Sequence, residues 1–248
     1  MIARVDGRPV SCPTDVFLRL AEHLSLLDLV IVGDAMVQRG RTTPRELVEI
    51  TKQAGGRWVR HARRAAALVR ERVDSPKETE LRLLLVLAGF PEPDINEDVL
   101  DDAGGWIARP DLAHRVLKIA LEYDGRHHLD DPRQWEKDIR RRELLDAAGW
   151  RVLVVTSRDL TRFASQTLMR VALLLRERGF QHVPSVLSPH RSMYVAPRSS
   201  PTRAGRNVQL APSPVPLGQA ETPMPPRHAG ENAEKLASRQ EVMREAAG

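Results

Sequence analysis

The chain has 248 residues, of which 42% are hydrophobic, and a formal net charge of +5 at pH 7. This apolar content is enough for a folded core in at least part of the chain, which excludes a wholly disordered protein. The basic excess favours a polyanionic partner, nucleic acid first, although a solvated basic surface has the same composition. The single cysteine, Cys12, excludes an internal disulfide and a cysteine-based zinc site. Neither an apolar signal core nor a membrane-length run occurs in the sequence, which predicts a cytoplasmic protein without a membrane partner.

The first 73 residues predict a short β-hairpin followed by a small helical region. Asp6-Gly7 is a turn dipeptide between two extended runs. Proline and glycine then divide the chain into apolar segments of helical period. The hairpin is predicted over Ile2 to Val10, and helices are predicted over Pro13 to Leu24, Leu26 to Gln38 and Arg45 to Lys52.

Residues 57–72 predict an amphipathic helix with an arginine-rich side. Apolar residues recur along one side at helical spacing. Three arginines line another side, where they would follow the phosphates of DNA. A run of arginines on an amphipathic helix is also commonly a solvated face, so both interpretations stand. The apolar side consists of Val59, Ala62, Ala66 and Val69, and the arginines are Arg57, Arg60 and Arg64.

Ser75-Pro76 predicts the start of a further helix, which Gly89 ends. Glu78 stands three residues after Ser75, at the spacing of a capping box. In a capping box the serine and glutamate side chains satisfy the first backbone amides of the helix. We therefore place a capping role for Glu78 ahead of a catalytic one. The buried side of this helix is predicted to contain Leu81, Leu84, Leu85 and Ala88.

Short apolar runs after this helix predict a three-stranded meander. The third run alternates apolar and acidic residues, which is typical of a half-buried strand. Because successive side chains point to opposite faces, Glu122 and Asp124 would share a face that Asp111 on a neighbouring strand could join. The strands are predicted over Ile95 to Leu100, Trp106 to Ala113 and Val116 to Asp124, with Leu117, Ile119, Leu121 and Tyr123 on the apolar face of the third.

The three converging carboxylates predict a site for a divalent cation. Oxygen-only ligand sets suit Mg²⁺ or Mn²⁺. Such an ion holds phosphate oxygens, lowers the pKa of a bound water and stabilises the departing oxygen in phosphodiester hydrolysis. Acidic residues before turns are also common, and Asp124-Gly125 is an ordinary turn dipeptide. The pattern predicts a metal-dependent nuclease and leaves a structural interpretation open.

The remainder predicts a basic helix, a buried strand, a last amphipathic helix and a tail. Gly149 ends the basic helix, and the β-branched run RVLVVT after it is typical of a buried strand. Ten of the 18 prolines lie at or after Pro184, where apolar periodicity ends, so the tail is predicted to be largely disordered. From Ser75 the predicted order is α-β-β-β-α-β-α, in the α/β (α+β) class. The predicted domains are a helical region at 1–73, a folded domain at 74–182 and a tail at 183–248.

Four segments, in the order SPKETELRLLL, ARPDLA, ALEYDGRHH and DIRRRELLDAAGWRVLVVT, carry a resemblance to a known family. Together they resemble the endonuclease-like domain family related to very short patch repair endonucleases, within the PD-(D/E)XK nuclease superfamily. The resemblance covers about residues 75–178. It implies a restriction-endonuclease-like α-β-β-β-α-β core, with the proline-aspartate on the second strand and the E-x-K or its equivalent on the third. A shared fold does not by itself fix the activity.

Carried over residue by residue, the resemblance implies metal ligation by Asp111 and Glu122, with the backbone carbonyl of Tyr123 as a further ligand. Glu78 matches the acidic residue of the family's first helix. From that helix it would reach the metal directly or through water, which is the alternative to capping.

The sequence departs from the superfamily at Asp124, where a lysine usually steadies the attacking water and the developing negative charge. The resemblance to the very-short-patch-like branch, in which this lysine is commonly absent, implies that nearby histidines take over part of its role. The resemblance therefore implies that His127 or His128 transfers a proton or contacts phosphate. Asp138 and Arg141 match a D-x-x-R feature of the second helix, for which a helix-to-sheet salt bridge is placed ahead of phosphate binding.

These features predict a metal-dependent DNA endonuclease of repair or defence. No segment is typical of base recognition, so specificity would come from loops, a protein partner or another module. The competing prediction is a non-catalytic DNA-binding or antitoxin-like regulator that retains the nuclease fold, because the helical region resembles the segment after the winged helix in such regulators. A protein-interaction module using the proline-rich tail is the third. The residues predicted to contact DNA are Arg57, Arg60, Arg64, Lys137, Arg140 and Arg141.

Overall fold

A computed structural model describes residues 2–5, 8–125 and 132–183, all of which belong to one compact unit. The Asp6-Gly7 turn, the two histidines His127 and His128, and the proline-rich tail lie outside these ranges, so the predictions made for them stay predictions. None of the helices within these ranges is both long and apolar enough to cross a membrane.

The N-terminal region is a β-hairpin followed by four helices that share one apolar core. Its elements are β1 Ile2–Val5, β2 Arg8–Ser11, α1 Pro13–Leu20, α2 Leu26–Gln38, α3 Pro44–Gln53 and α4 Val59–Ala66. β1 and β2 pair antiparallel with Val5 opposite Arg8, as predicted for the hairpin. Apolar residues from all four helices, among them Phe17, Leu26 and Leu47, form the core.

Two helices of this region are shorter than predicted. α1 ends at Leu20 instead of Leu24, and α4 ends at Ala66 although its amphipathic pattern continues to residue 72. The early end of α4 has a tertiary cause, because the backbone N–H of Arg70 donates to Asp34 of α2 instead of to a helical carbonyl. The pattern therefore predicted the buried side correctly but not the length of the helix.

A mixed four-stranded sheet with helices on both faces forms the second part. Its elements, with a separate hairpin, are α5 Pro76–Leu87, β3 Asp94–Ile95, β4 Val99–Leu100, β5 Trp106–Ala108, β6 Leu112–His114, β7 Ile119–Asp124, α6 Pro132–Ala147, β8 Arg151–Thr156, α7 Ser157–Leu160 and α8 Ala164–Glu177. The strand order is β3-β6-β7-β8, antiparallel except for the parallel pair β7–β8. α6 connects that pair, because parallel neighbours need a crossover connection. The molecule is thus a mixed α+β protein.

The predicted second strand, Trp106 to Ala113, is divided in two. Pro110 has no N–H to donate and a fixed φ, so the ladder is interrupted between β5 and β6. β5 pairs with β4 in a separate two-stranded sheet, whereas β6 joins the main sheet. The predicted three-stranded meander therefore contributes to two sheets.

The predicted third strand, Val116 to Asp124, begins later than its pattern suggests. Arg115–Leu117 is a 3-10 helix, and Lys118 has a left-handed φ of +51°, so β7 starts only at Ile119. Leu117 still packs against the apolar cluster predicted for it, but from this 3-10 helix.

β7 is buried on both faces, whereas its alternation predicts a half-buried strand. Ile119, Leu121 and Tyr123 pack in the cluster that includes residues of α5 and α8, as predicted for this face. Ala120 packs on the opposite face with Leu145 of α6. The half-buried prediction was wrong because α6 covers this second face.

α5 is buried against both parts of the molecule. Leu81, Leu84 and Leu85 pack in the cluster beneath the sheet, as predicted, while Leu83 packs in the core of the N-terminal helices. Arg82, between these leucines, is fully buried. One helix therefore fixes the N-terminal helices to the sheet.

Candidate metal site at the end of the sheet

Two acidic residues lie beside each other at one end of the sheet, Glu122 in β7 and Asp111 immediately before β6. Leu112 and Leu121 are directly opposite in the antiparallel ladder of β6 and β7, so the next position places Asp111 beside Glu122 on the same face. Asp111 Oδ2 also accepts a hydrogen bond of 2.7 Å from the backbone N–H of Tyr123. The structure thus brings together the two residues that were predicted as metal ligands.

Arg141 of α6 reaches across to this pair. Its Nη2 lies 3.0 Å from Glu122 Oε2 and 3.8 Å from Asp138 Oδ1. These contacts form the helix-to-sheet salt bridge predicted for the D-x-x-R feature. Glu122 Oε1 and Arg141 Nε are buried and have no hydrogen-bond partner in the part of the chain that the structure describes. The salt bridge therefore uses only one of the two Glu122 oxygens.

The surroundings of Asp111 and Glu122 disfavour their negative charges. Burial raises the pKa of Asp111 to about 6, and the charges of Glu78 and Glu122 add to this effect, while the charge of Arg141 opposes it. Burial also raises the pKa of Glu122, against the lowering effect of Arg141 and Arg142. A bound cation would stabilise both carboxylates in their charged form.

Glu78 lies at the start of α5, where its carboxylate is hydrogen-bonded. Ser75 Oγ accepts from the backbone N–H of Glu78 at 3.2 Å, which is half of the predicted capping box. Glu78 Oε2 accepts from Asp74 N–H at 2.9 Å and from Asn96 Nδ2 at 2.7 Å, so the reciprocal bond goes one residue earlier than the box requires. The Ser75 half of the predicted capping box is therefore confirmed, whereas the half predicted for Glu78 is wrong because its carboxylate accepts from Asp74 and not from Ser75. The charge of Glu78 acts on Asp111 from this position.

Asn96 is a buried contact of the site that the sequence analysis missed. Its backbone N–H donates to Asp111 O at 3.0 Å, and its side chain donates to Glu78. Its own carbonyl accepts from Arg72 and Arg109. Asn96 has φ +49°, a left-handed conformation that asparagine tolerates better than most residues. Its position between two short strands signals a turn, but its partners are too distant in sequence to be predicted.

Asp124, the third predicted carboxylate, is exposed at the end of β7. Within residues 2–5, 8–125 and 132–183, no group of three or more His, Cys, Asp or Glu side chains is placed to hold a metal ion. The convergence of three carboxylates is therefore absent from the described part of the chain. Mg²⁺ is, however, commonly held by one or two carboxylates together with water and substrate phosphate. Asp111 and Glu122, each with one oxygen outside the hydrogen bonds above, fit such an ion.

The residues predicted to contact DNA lie on two separate helices or, for Arg57, just before one of them. Arg60 and Arg64 are exposed on α4, and Arg57 precedes this helix with its guanidinium 4.7 Å from the ring centroid of Trp58. α4 packs on the other N-terminal helices, whereas α6 packs on β5 and β8. The basic residues of α6 are Arg140, which is exposed, Arg141, and Lys137, whose side chain lies outside the described part. Arg141 is thus the predicted DNA contact that the structure places directly against Glu122.

Comparison with known proteins identifies relatives without an assigned activity. The chain is similar to Uncharacterized protein MT2308 of Mycobacterium tuberculosis (strain CDC 1551 / Oshkosh) and to Uncharacterized protein Rv2248 of Mycobacterium tuberculosis (strain ATCC 25618 / H37Rv). Each is 25% identical over 172 residues, which are 69% of this chain and 63% of the relative. The chain therefore spans less than two thirds of the length of these relatives. No family model and no solved structure matches the chain.

Proposed function

We propose that the protein is a metal-dependent DNA endonuclease whose Mg²⁺ or Mn²⁺ is held by Asp111 and Glu122. The observation that carries this proposal is the buried carboxylate of Glu122 beside the half-buried carboxylate of Asp111, each with one oxygen outside the hydrogen bonds of the described residues. The resemblance to the very-short-patch-like endonuclease family supports the same two residues. The succession of a helix, antiparallel strands, a crossover helix and a parallel strand agrees with the restriction-endonuclease-like core that this resemblance implies.

The residues around the pair have distinct roles in this proposal. A bound metal ion would polarise the scissile phosphate of the DNA and lower the pKa of a water molecule. The N–H of Tyr123 orients one oxygen of Asp111, and Arg141 orients one oxygen of Glu122, so that the remaining oxygens are available as ligands. Glu78, held by its own hydrogen bonds, adds negative charge that increases the preference of Asp111 for a cation.

The basic side of α6 is the first candidate for contact with the DNA backbone. Arg140 and Arg142 are exposed next to Arg141, and the charge of Arg142 has a lowering effect on the pKa of Glu122. Backbone contacts of this kind position DNA without reading its sequence. The arginines of α4 would bind phosphates further along the duplex. His127 or His128 remains the proposed proton-transfer group, since the segment that contains both follows β7 directly.

A DNA-binding regulator without catalytic activity is the second candidate function. The observation that favours it is the Arg141–Glu122 ion pair, which already neutralises one carboxylate of the site. The absence of a larger metal-ligand group from the described ranges also agrees with it. In this case the arginines would bind DNA while no phosphodiester bond is broken.

Plasmid nicking with Mg²⁺ or Mn²⁺ tests the proposed function. The wild type and Glu143→Ala, which changes an exposed acidic residue of α6, are expected to nick the plasmid. Asp111→Ala and addition of EDTA are expected to abolish nicking, while circular dichroism shows Asp111→Ala to be folded. Unchanged nicking by Asp111→Ala contradicts the assignment. A wild type that shifts DNA in a gel but never nicks it supports the regulator instead.

A further inference from the structure

An apolar groove lies at the end of the sheet opposite to the candidate metal site. It has a volume of about 920 Å³ and is formed by the β4–β5 hairpin, the 3-10 helix before β7 and the end of α6. Lys118 lines it, and Glu122 lies four residues further along the chain in β7. At roughly 3.3 Å per strand residue, the groove and the carboxylates are on the order of 13 Å apart. The groove is therefore separate from the site described above.

Large apolar side chains surround this groove in exposed positions. Val116 is 98% exposed, Leu100 is 51% exposed and Leu144 is 48% exposed, and all three line the groove. Trp106 is 62% exposed and lies opposite Leu100 in the hairpin. Trp150, a member of a buried apolar cluster, also lines the groove. Single exposed apolar residues are normal, but a contiguous patch of them marks an interaction surface.

The groove also carries one acidic and one basic residue that are available to a partner. Asp102 lies in the β4–β5 turn and Arg115 in the 3-10 helix, and both are exposed. Neither makes an ion pair within the described part of the chain. The other two charged residues of the groove are engaged: Asp101 Oδ1 accepts from backbone N–H groups of its own turn, and Lys118 Nζ donates to the carbonyl of Ala148.

A patch of this composition is complementary to itself. In a twofold dimer the same surface of each copy faces the other, so an acidic residue of one copy can meet a basic residue of the other. Apolar residues then occupy the centre and charged residues the rim, as in other protein interfaces. A groove with only one sign of charge would instead favour a different protein of opposite charge.

We propose that this groove is the contact surface between two copies of the chain in a twofold dimer. Leu100, Val116 and Leu144 are buried at its centre, and Asp102 of each copy faces Arg115 of the other. Because the groove is at the far end of the sheet, both candidate metal sites stay accessible to DNA in the dimer. The dimer does not depend on the proposed nuclease activity, so each can fail without the other.

Analytical ultracentrifugation of the full chain over a range of concentrations tests the apolar part of this surface. The wild type is expected to sediment as a dimer at high concentration. Val116→Asp is expected to raise the dimer dissociation constant at least about tenfold, because it places a charge at the centre of the interface. It leaves the fold unchanged, since Val116 is almost fully exposed. The matched control is Leu173→Asp, at a 58% exposed position of α8, which leaves the dimer unchanged.

A charge exchange tests the proposed pairing of the rim residues. Asp102→Arg alone and Arg115→Asp alone each bring like charges together across the twofold axis, so each weakens the dimer about tenfold. In an equal mixture of these two variants the introduced arginine faces the introduced aspartate, and the mixed dimer forms as tightly as the wild type. A wild type that is monomeric at every concentration, a dimer insensitive to Val116→Asp, or a mixture that does not associate overturns the proposal.

Discussion

Two acid–arginine pairs, one between α2 and α5 and one at the end of the sheet, differ in how fully their polar atoms are hydrogen-bonded. Asp34 in α2 lies 3.2 Å from Arg82 in α5. Its two oxygens also accept from a backbone N–H and from the hydroxyl of Thr79. Glu122 lies 3.0 Å from Arg141, but its Oε1 has no partner among the described residues. Both oxygens of Asp34 therefore accept hydrogen bonds, whereas only one oxygen of Glu122 has a partner among the described residues.

The surroundings of the two arginines explain this difference. Arg82 is fully buried and also donates to Leu68 O and to Glu92, which leaves only its Nε without an acceptor in the described ranges. Arg141 is 29% exposed at the end of the sheet. Buried polar groups are normally hydrogen-bonded, so a nearly complete network indicates a structural role, while an incomplete one near the surface indicates a ligand site. This comparison supports the proposal that Glu122, and not Asp34, belongs to a ligand site.

The largest effect is expected from breaking the complete pair. Arg82→Met leaves the charge of Asp34 buried without a partner and is expected to lower the free energy of unfolding by about 3–5 kcal/mol. Urea denaturation followed by circular dichroism measures the change. Arg60→Met on the exposed side of α4 is the control, with an expected change below about 0.5 kcal/mol. Equal losses in both variants would contradict a structural role for the Asp34–Arg82 pair.

At the candidate metal site a substitution is expected to raise the free energy of unfolding instead of lowering it. Asp111→Asn keeps an acceptor for Tyr123 N–H but removes a half-buried charge, so it is expected to stabilise the metal-free protein by about 3 kcal/mol at about pH 8. The folded-state pKa of Asp111, about 6, is above its ordinary value of 3.8. As the pH rises between these values the unfolded chain loses its proton first, so the free energy of unfolding of the wild type falls. The gain in Asp111→Asn should therefore be much smaller at about pH 4, where the carboxyl group of folded Asp111 is protonated.

A matched substitution sharpens this second prediction. Asp34→Asn also removes a carboxylate charge, but it takes away the buried one of the two carboxylates paired with Arg82 and is expected to destabilise the protein. Urea denaturation of both variants at the two pH values gives the comparison. Destabilisation by Asp111→Asn at about pH 8 would show that Asp111 has a structural role like that of Asp34.

A smaller loss is expected when the incomplete pair is broken. Arg141→Met is expected to lower the free energy of unfolding by about 1 kcal/mol, because this arginine is partly exposed and Glu122 can take up a proton. Without Arg141 the pKa of Glu122 rises further, so the loss increases as the pH rises and the wild-type carboxylate ionises. Thermal unfolding at about pH 5 and about pH 8 measures this trend. A loss as large as that of Arg82→Met would contradict the distinction between the two pairs.

The smallest effect on stability is expected on α4, where the readout is DNA affinity. The double variant Arg60→Gln and Arg64→Gln is expected to reduce the slope of log affinity against log salt by about 2, if each arginine contacts one phosphate. Arg63→Gln is the control on the same helix, because Arg63 donates to the carbonyls of Thr51, Lys52 and Ala54. It should alter stability and leave the slope unchanged. An unchanged slope in the double variant would remove α4 from the DNA interface.

Local sequence signals predicted much of the fold. α2 has the predicted bounds, Leu26–Gln38, because Ser25 is an effective cap and apolar residues continue to the end of the helix. The proximity of Asp111 and Glu122 could be predicted from the sequence, because strand alternation and antiparallel pairing determine which face of the sheet each residue occupies. These predictions depend on residues that are close in sequence or that follow a regular period.

What could not be predicted depends on contacts between distant segments. Asp34 and Arg82 are 48 residues apart, and no period relates them. The burial of both faces of β7 depends on where α6 packs, which the alternation of the strand does not encode. Asn96 belongs to the site through bonds to Glu78 and to the backbone of Asp111, which only the folded chain brings together.

The most direct test of whether Asp111 and Glu122 form a metal site is the binding of Mn²⁺ to the purified protein. This binding is measured from the electron paramagnetic resonance signal of the free ion. The wild type and Glu143→Gln are expected to reduce the free-ion signal at about pH 8, and this effect is expected to disappear in Asp111→Asn and to weaken below about pH 6 as protons compete for the carboxylate. Equal Mn²⁺ binding by Asp111→Asn, or none by the wild type, would contradict the account.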